Sequence, residues 1–444
     1  MTITLTQSII ALLLGIMLIV VLTTKYKVHA FFALVLACLV VGLGLNMSLG
    51  EVLTTTKTGF GNIIGALGLI IIFGTTLGII LEHTGATLVL ANAILRLTGQ
   101  KRAAGAMNIT GYVVGLPIFC DSGYIVLSSL NNNLARRTGT AMALMAASLA
   151  SGLYAVHCLI PPHPGAAAAT ATLSADFGMV ILYGMLVAIP TAYGGFLWAK
   201  YASRKSSVVQ TSTGAADTHT LPQRLPPVGL SVLPIALPIV LIGVRSFMTI
   251  SETSSFFTST LHVLGAPEVA LGLGILLAVL GKRDWQIADF NKLLRQAVEK
   301  AGDILLIIGA GGAFGALIAQ ANIAQHLSDN SVVSNMGLFF PFLLAAILKT
   351  AQGSSSVAII TTATMVLPML SSLGLDHDMG RIFTVLAMGA GSMMVSHAND
   401  SYFWVISRFS GVGMAVMLRV YTVGTLVMGL VAIGMVYLLY LLLI

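Results

Sequence analysis

The sequence predicts an all-α integral membrane protein with about 10–14 transmembrane or partial spans, taking about 20 apolar residues per full span. The spans are expected to form two inverted repeats containing re-entrant hairpins and broken helices. Three observations carry this expectation. Hydrophobic residues make up 57% of the 444-residue chain and charged ones 8%, with a mean hydropathy of +0.96, whereas charged residues form about a quarter of a soluble domain. Runs without Lys, Arg, Asp or Glu recur along the whole length. Glycine- and proline-broken segments of similar chemistry come up in the same order on either side of one long polar stretch.

Residues 1–24 form the first charge-free run. No Lys or Arg precedes it and no small-residue cleavage site with a polar continuation follows, so it reads as a span and not as a signal peptide. Further runs cover 28–50, 58–81, 103–120 and 177–199, and no charge lies between Arg137 and Asp176. The polar stretch at 203–227, "SRKSSVVQTSTGAADTHTLPQRLPP", is rich in Ser, Thr and Pro and reads as a linker. Apolar runs then resume at 225–244, 304–328, 350–375 and 420–444. The expected organisation is an N-terminal transmembrane repeat at 1–202, a cytoplasmic linker at 203–227 and a C-terminal transmembrane repeat at 228–444.

The formal net charge of +7 is concentrated between spans: Lys25 and Lys27, Arg96 with Lys101 and Arg102, Arg136 with Arg137, Lys200 with Arg204 and Lys205, and the stretch 282–300. This is the positive-inside pattern; it marks those loops as cytoplasmic and the nearly neutral loop holding Glu51 and Lys57, with the N-terminus, as external. The partner implied by the charge is the lipid bilayer and not nucleic acid. Cys38, Cys120 and Cys158 lie in apolar segments without paired spacing, which suits small core residues better than disulfides or a metal site.

The two halves resemble each other. A glycine-punctuated apolar run ending in a polar cap occurs at 62–86 and again at 303–324. A small polar cluster between apolar arms occurs in "LPIFCDSGYIVLSSLNN" (116–132) and in "LKTAQGSSSVAIITT" (348–362). Each is followed by a broken, histidine-bearing segment, "SGLYAVHCLIPPHPG" (151–165) and "GAGSMMVSHANDSYFW" (389–404). An external start and a cytoplasmic linker give the first half an odd number of crossings, so the second half is inverted. Inverted repeats of broken helices are the architecture of secondary transporters, with the site at the repeat interface near the midplane.

The broken segments supply the candidate residues. Backbone that leaves the helix at membrane depth exposes polar groups and persists only where it lines a cavity or is covered by protein. Pro161, Pro162 and Pro164 cannot sit in a helix interior. A half-helix beginning near Gly165 would aim free N–H groups at an anion, with His157 and His163 beside it; a tight extracellular turn is the plainer alternative. Asp121, followed by Ser122 and Gly123, is a lone carboxylate in an apolar segment, and such a group is by default a functional candidate. The alternative is a helix cap in a shallow loop. "SHAND" places Ser396, His397, Asn399 and Asp400 together, a density of hydrogen-bonding groups suited to a polyhydroxylated ligand. Gln352, Gly353, Ser354, Ser355 and Ser356 are expected at the tip of a re-entrant hairpin. Asp121 and Asp400 are the candidate proton carriers and the other residues the candidate substrate contacts. The run "GAGGAFGA" (309–316) lacks the Lys and Ser/Thr of a phosphate loop and reads as close helix packing. A Ser–His–Asp hydrolase is disfavoured by the absence of a G-x-S-x-G elbow, and no metal-ligand spacing or cofactor motif occurs.

"LPIFCDSGYIVL", "VHCLIPPHPG", "LIIGAGGAFGALI", "LKTAQGSSSVA" and "GSMMVSHANDSYFW" together resemble the successive signature segments of the gluconate:proton symporter (GntP) family of bacterial permeases, from residue 28 to beyond 404. The resemblance implies symport of a small organic-acid anion, chiefly gluconate or another sugar acid, with protons, inward across the bacterial inner membrane. It leaves open a smaller hydroxy acid such as glycerate, or D-serine, as the substrate, and a homo-oligomer as the assembly; a passive organic-anion channel is the reading from a different class. Two positions and one segment depart from the family pattern: Ala166 replaces a second proline after "PPHPG", Ser122 follows the acid where an apolar residue is usual, and "LSSLNNN" (127–133) is more polar than its counterpart.

Overall fold

The computed structural model describes residues 5–99, 102–205, 225–248, 256–282, 284–320 and 336–443. Lys101, most of the expected linker (206–224) and the end of the second glycine-rich run (321–324) lie outside the described residues.

Regular structure among the described residues is helical throughout. Helices α1 (Leu5–Thr24) and α2 (Ala30–Gly44) pack side by side, Gly44 against Ala11 and Gly15 against Val41. The long α3 (Leu49–Thr84) starts at a capping box, in which Ser48 Oγ accepts from Glu51 N–H and Glu51 accepts from Ser48 N–H, and stops at Gly85. There follow α4 (Ala86–Thr98), α5 (Ala103–Gly115), α6 (Cys120–Thr138), α7 (Met142–Leu159), α8 (Pro164–Thr172) and α9 (Phe177–Ala202). After residue 224 come α10 (Val228–Met248), α11 (Phe256–Leu264), α12 (Pro267–Val279), α13 (Ile287–Gln320), α14 (Phe339–Gln352), α15 (Ser355–Val366), α16 (Asp378–Ser392) and α17 (Ser401–Ser410). The last helix, α18 (Met414–Leu443), carries a π turn at Leu418–Thr422.

Among the described residues, α3, the α7–α8 stretch Met142–Thr172, α9, most of α10, most of α13 and α18 are long and apolar enough to cross a membrane. The helices α2, α4, α12, α14 and α15 are apolar but shorter, and supply the partial spans. Large apolar side chains remain on the outside, Leu276 and Ile347 at 65% and Leu441 at 74% exposure. In water such surface would be a liability; in a bilayer it is the solvent-matched face.

The two longest helices cross at glycine. A Cβ on Gly59 of α3 would lie 2.6 Å from the carbonyl oxygen of Gly312 on α13, and one on Gly312 would lie 2.8 Å from that of Gly59. The "GAGGAFGA" run is therefore a close-packing surface, the means by which membrane helices associate where hydrophobicity offers no drive. One expectation needs correction. The charged stretch 282–300 does not form a loop throughout, because from Ile287 onward it is the first half of α13, a helix whose charges precede its apolar second half.

The order of elements recurs. A helix–turn–helix (α5, α6), a broken helix (α7, α8) and a long helix (α9) in the first half are matched by α14 with α15, α16 with α17, and α18 in the second.

Candidate functional site

Four chain breaks meet in the interior: α5/α6 at 116–119, α7/α8 at 160–163, α14/α15 at 353–354 and α16/α17 at 393–400. The sequence accounts for three of them. Prolines 161, 162 and 164 stop α7 and start α8, with Pro164 in the first turn where its missing N–H costs nothing. Gly353 ends α14 in the left-handed region (φ 85°), and Ser354 opens α15 by accepting from Val357 N–H. Asp400 opens α17 by accepting from Tyr402 N–H at 3.0 Å.

Long-range contacts tie the breaks together. His163, 4% exposed, sits at the first non-helical segment and its Nε2–H donates to Gly115 O at the end of α5, 2.8 Å away. The segment is thus covered by protein and is not a solvent-exposed turn. Pro162 packs near Gly74 of α3. Gly165 lies against α15, where a Cβ would be 3.0 Å from Ser356 Cα, so the N-termini of α8 and α15 are neighbours. Asn399 Nδ2 donates to Thr350 O (2.8 Å), and His397 Nε2 lies 3.2 Å from the same oxygen. Asn132 of α6 donates to Phe409 O of α17. Ser396 N–H donates to Thr425 Oγ1, and its carbonyl accepts from Thr422 Oγ1 at the end of the π turn of α18.

At the centre lies a buried ion pair. Lys349 is fully buried; its Nζ donates to Asp400 Oδ2 at 2.7 Å and to Gly353 O at 2.6 Å. Ser396 Oγ–H donates to the same Asp400 oxygen at 2.5 Å. The rings of Tyr154, Tyr402 and Tyr421 surround the pair, with Lys349 Nζ 5.9 Å from the Tyr154 centroid. A second cation, Lys300 of α13, donates to Ser122 Oγ at 2.6 Å and lies 4.7 Å from the Phe119 ring centroid. His157 and His163 stand 5.0 Å apart, centroid to centroid, and both face Phe119.

Asp121 lies in the first turn of α6 but caps nothing: the cap position is Phe119, without a side-chain bond, and Asp121 Oδ1 is buried with no hydrogen-bond partner. The helix-cap alternative therefore does not describe it. Gln352 has both amide atoms buried without a partner, as do Asn399 Oδ1 and His157 Nδ1. Buried polar atoms are normally hydrogen-bonded, so these atoms suit a bound polar molecule. Gly123 packs against Leu153 of α7, and Ser355 is buried at the start of α15.

Sequence reasoning missed Lys349 and Lys300. Lys349 had a visible signal, being the one Lys or Arg between Lys300 and Arg381. Lys300 was hidden because it closes a charged stretch. Asn131 was missed as well: it is fully buried on α6 and neither amide atom has a partner. Cys38, Cys120 and Cys158 are buried and unpaired.

The family model described as GntP family permease matches residues 7–442. A gluconate permease of Pseudomonas aeruginosa is 32% identical over 434 residues, covering 95% of this chain and 94% of that one. The Gnt-II system L-idonate transporter of Escherichia coli K12 is 31% identical, covering 92% and 93%. Among solved structures, the YdaH transporter of Alcanivorax borkumensis superposes with a TM-score of 0.59 over 88% of this chain and 89% of that chain at 14% identity. MtrF of Neisseria gonorrhoeae does so with a TM-score of 0.60 over 87% and 83% at 16% identity; at such identities the likeness is one of fold.

Proposed function

Since the chain belongs to the GntP family of permeases, we propose that it is a proton-coupled symporter importing gluconate or a related sugar acid. It is a multi-pass inner-membrane permease and not an enzyme. The relatives named as gluconate and L-idonate transporters support a sugar-acid substrate. The observation that carries the reading is the meeting of four chain breaks around the buried Lys349, the half-buried Lys300 and unpaired polar atoms.

A sugar acid presents one carboxylate and a row of hydroxyls. The helices α6, α8, α15 and α17 all begin at the breaks, and α6 and α8 begin without a side-chain cap. Free N–H groups at helix N-termini favour an anion. Hydroxyls both donate and accept, and an amide supplies both functions; Gln352 and Asn399 offer buried amide atoms that have no other partner. In this reading Ser122, Gly123, His157, Pro162, His163, Gly165, Gln352, Gly353, Ser354, Ser355, Ser356, Ser396, His397 and Asn399 shape the substrate site, and Asp121 and Asp400 serve proton coupling. Residues 1–202 and 228–444 act as inverted repeats rocking about the breaks.

Uptake of labelled gluconate into proteoliposomes tests this. Accumulation should follow an inward proton gradient, collapse with a protonophore, and be competed by idonate but not by the corresponding alcohol without a carboxylate. Accumulation that survives the protonophore and requires sodium refutes proton coupling. Downhill flux with neither counterflow nor gradient dependence marks a channel, and competition by glycerate or D-serine alone marks a smaller substrate.

A further inference from the structure

Lys349 and Asp400 are 51 residues apart in sequence and lie in two different broken elements, yet each is the other's charge partner. Their side chains are 0% and 7% exposed, so neither charge can turn to solvent where it stands. Lys349 has one further acceptor, Gly353 O, which is neutral. Asp400 has two further donors, Ser396 Oγ–H and Tyr402 N–H, which would stay with the carboxyl if the lysine left. The pair is thus separable. Each member keeps part of its shell when the other is exchanged.

The titratable groups facing the pair come from the elements packed against it: Cys120 and Asp121 of α6, Tyr154, His157 and Cys158 of α7 and Tyr421 of α18, with Tyr402 of α17 bonded to Asp400 through its N–H, while Lys300 of α13 faces Asp121 and His157 instead. Asp121 feels both Asp400 and Lys349 but hydrogen-bonds to neither lysine. Of the two acids, Asp400 alone occupies the cation.

An arriving monoanion meets a site that is already neutral at this pair. Placing its carboxylate on Lys349 beside an ionised Asp400 would leave two carboxylates on one ammonium in a low-dielectric interior, where like charges repel far more strongly than in water. A proton on Asp400 removes the conflict. We infer that the substrate carboxylate displaces Asp400 from Lys349 as Asp400 takes up a proton, so that one proton moves with each monovalent acid and the step is electroneutral. The Lys349–Asp400 ion pair breaks, a Lys349–substrate ion pair forms, and the proton passes from outside water to an Asp400 oxygen, with Ser396 Oγ turning from donor to acceptor. On the cytoplasmic side the proton leaves to water, the pair re-forms and the acid is expelled. This deepens the symport reading above and rests on it.

The test uses the full-length protein with gluconate as the probe. In wild type, calorimetry in buffers of different ionisation enthalpy should give about one proton taken up per gluconate bound, and the apparent Kd should tighten as pH falls, by about tenfold per pH unit where one full proton is taken up. Asp400→Asn should abolish the proton uptake and flatten the pH dependence of Kd to within about twofold per pH unit, since the amide cannot take up the proton. Lys349→Met should weaken binding at least about a hundredfold, as removal of a desolvated charge partner does. Wild-type proteoliposomes give a second measurement that needs no variant: a pH gradient should drive accumulation, and a potassium diffusion potential without a pH gradient should not. Proton uptake that persists in Asp400→Asn, proton uptake that vanishes in Asp121→Asn while persisting in Asp400→Asn, or accumulation driven by potential alone overturns the exchange. Failure of the wild type to bind any carboxylate overturns both this inference and the sugar-acid reading, whereas binding without a linked proton overturns the exchange alone.

Discussion

Removing the Lys349 charge should damage the fold more than removing the whole ion pair. In Lys349→Met an apolar side chain of similar volume fills the same space, so the change isolates the ammonium, including its place 5.9 Å from the Tyr154 ring centroid. Asp400, 5% exposed, is then left with Ser396 Oγ–H and Tyr402 N–H and no opposite charge in contact. Leaving one buried partner uncompensated costs about 3–5 kcal/mol. In Lys349→Met/Asp400→Asn no buried charge remains at the pair, and replacing a buried pair with neutral groups is often neutral or stabilising. The double variant should therefore be more stable than Lys349→Met by about 2 kcal/mol or more, a coupling well outside additivity. Unfolding of detergent-solubilised protein in an SDS titration, read by tryptophan fluorescence, measures all corners of the cycle. The exposed pair Arg381–Asp376, with side chains 32% and 40% exposed, is an internal comparison and should couple by about 1 kcal/mol or less. A double variant no more stable than Lys349→Met, or a coupling as small as that of the exposed pair, would refute the reasoning.

Replacing His163 with Ala removes the donor to Gly115 O and leaves that carbonyl buried, at about 1–3 kcal/mol; expression measured in membranes should hold while gluconate uptake falls at least about tenfold, the equivalent of about 1.4 kcal/mol. Asn131→Leu replaces a buried amide with no hydrogen-bond partner by an apolar side chain of similar size, so stability in the SDS titration should rise by about 1–3 kcal/mol, and a loss of uptake in that variant would mark Asn131 as a functional residue held at a cost in stability. In the loop before α16, hydrogen bonds from Arg381 and then Ser371 hold the Asp376 carboxyl below its usual range. Because the folded value is the lower one, its contribution is present above the ordinary carboxylate range and lost as pH falls through the depressed value. Asp376→Asn should therefore flatten the acid limb of local stability, read by amide exchange at the start of α16.

Membrane residence, the helical class and the succession of breaks were determined by the sequence alone, because each depends on local properties. A charge-free run of sufficient length has no low-energy alternative to a membrane helix, and three prolines within four residues at 161–164 remove successive backbone donors, so the helix stops there. The breaks inside the small polar clusters at 116–132 and 348–362 were legible for the same reason, since backbone preferences travel with the residues. The tertiary structure alone decided which breaks meet and which charges are paired. Lys349 in an apolar helix could have reached along its flexible stem toward a headgroup or water; its burial follows from the packing of α14 against the second broken helix, which brings Asp400 within 2.7 Å. Lys300 likewise read as a loop residue until α13 carried it to Ser122. His163 was marked as a ligand group by its neighbours in sequence, while its hydrogen bond to Gly115 depends on α5 arriving from 48 residues away. Electrostatic pairing depends on distance in space, and the local pattern of residues does not encode distances between segments that meet only when the chain has folded.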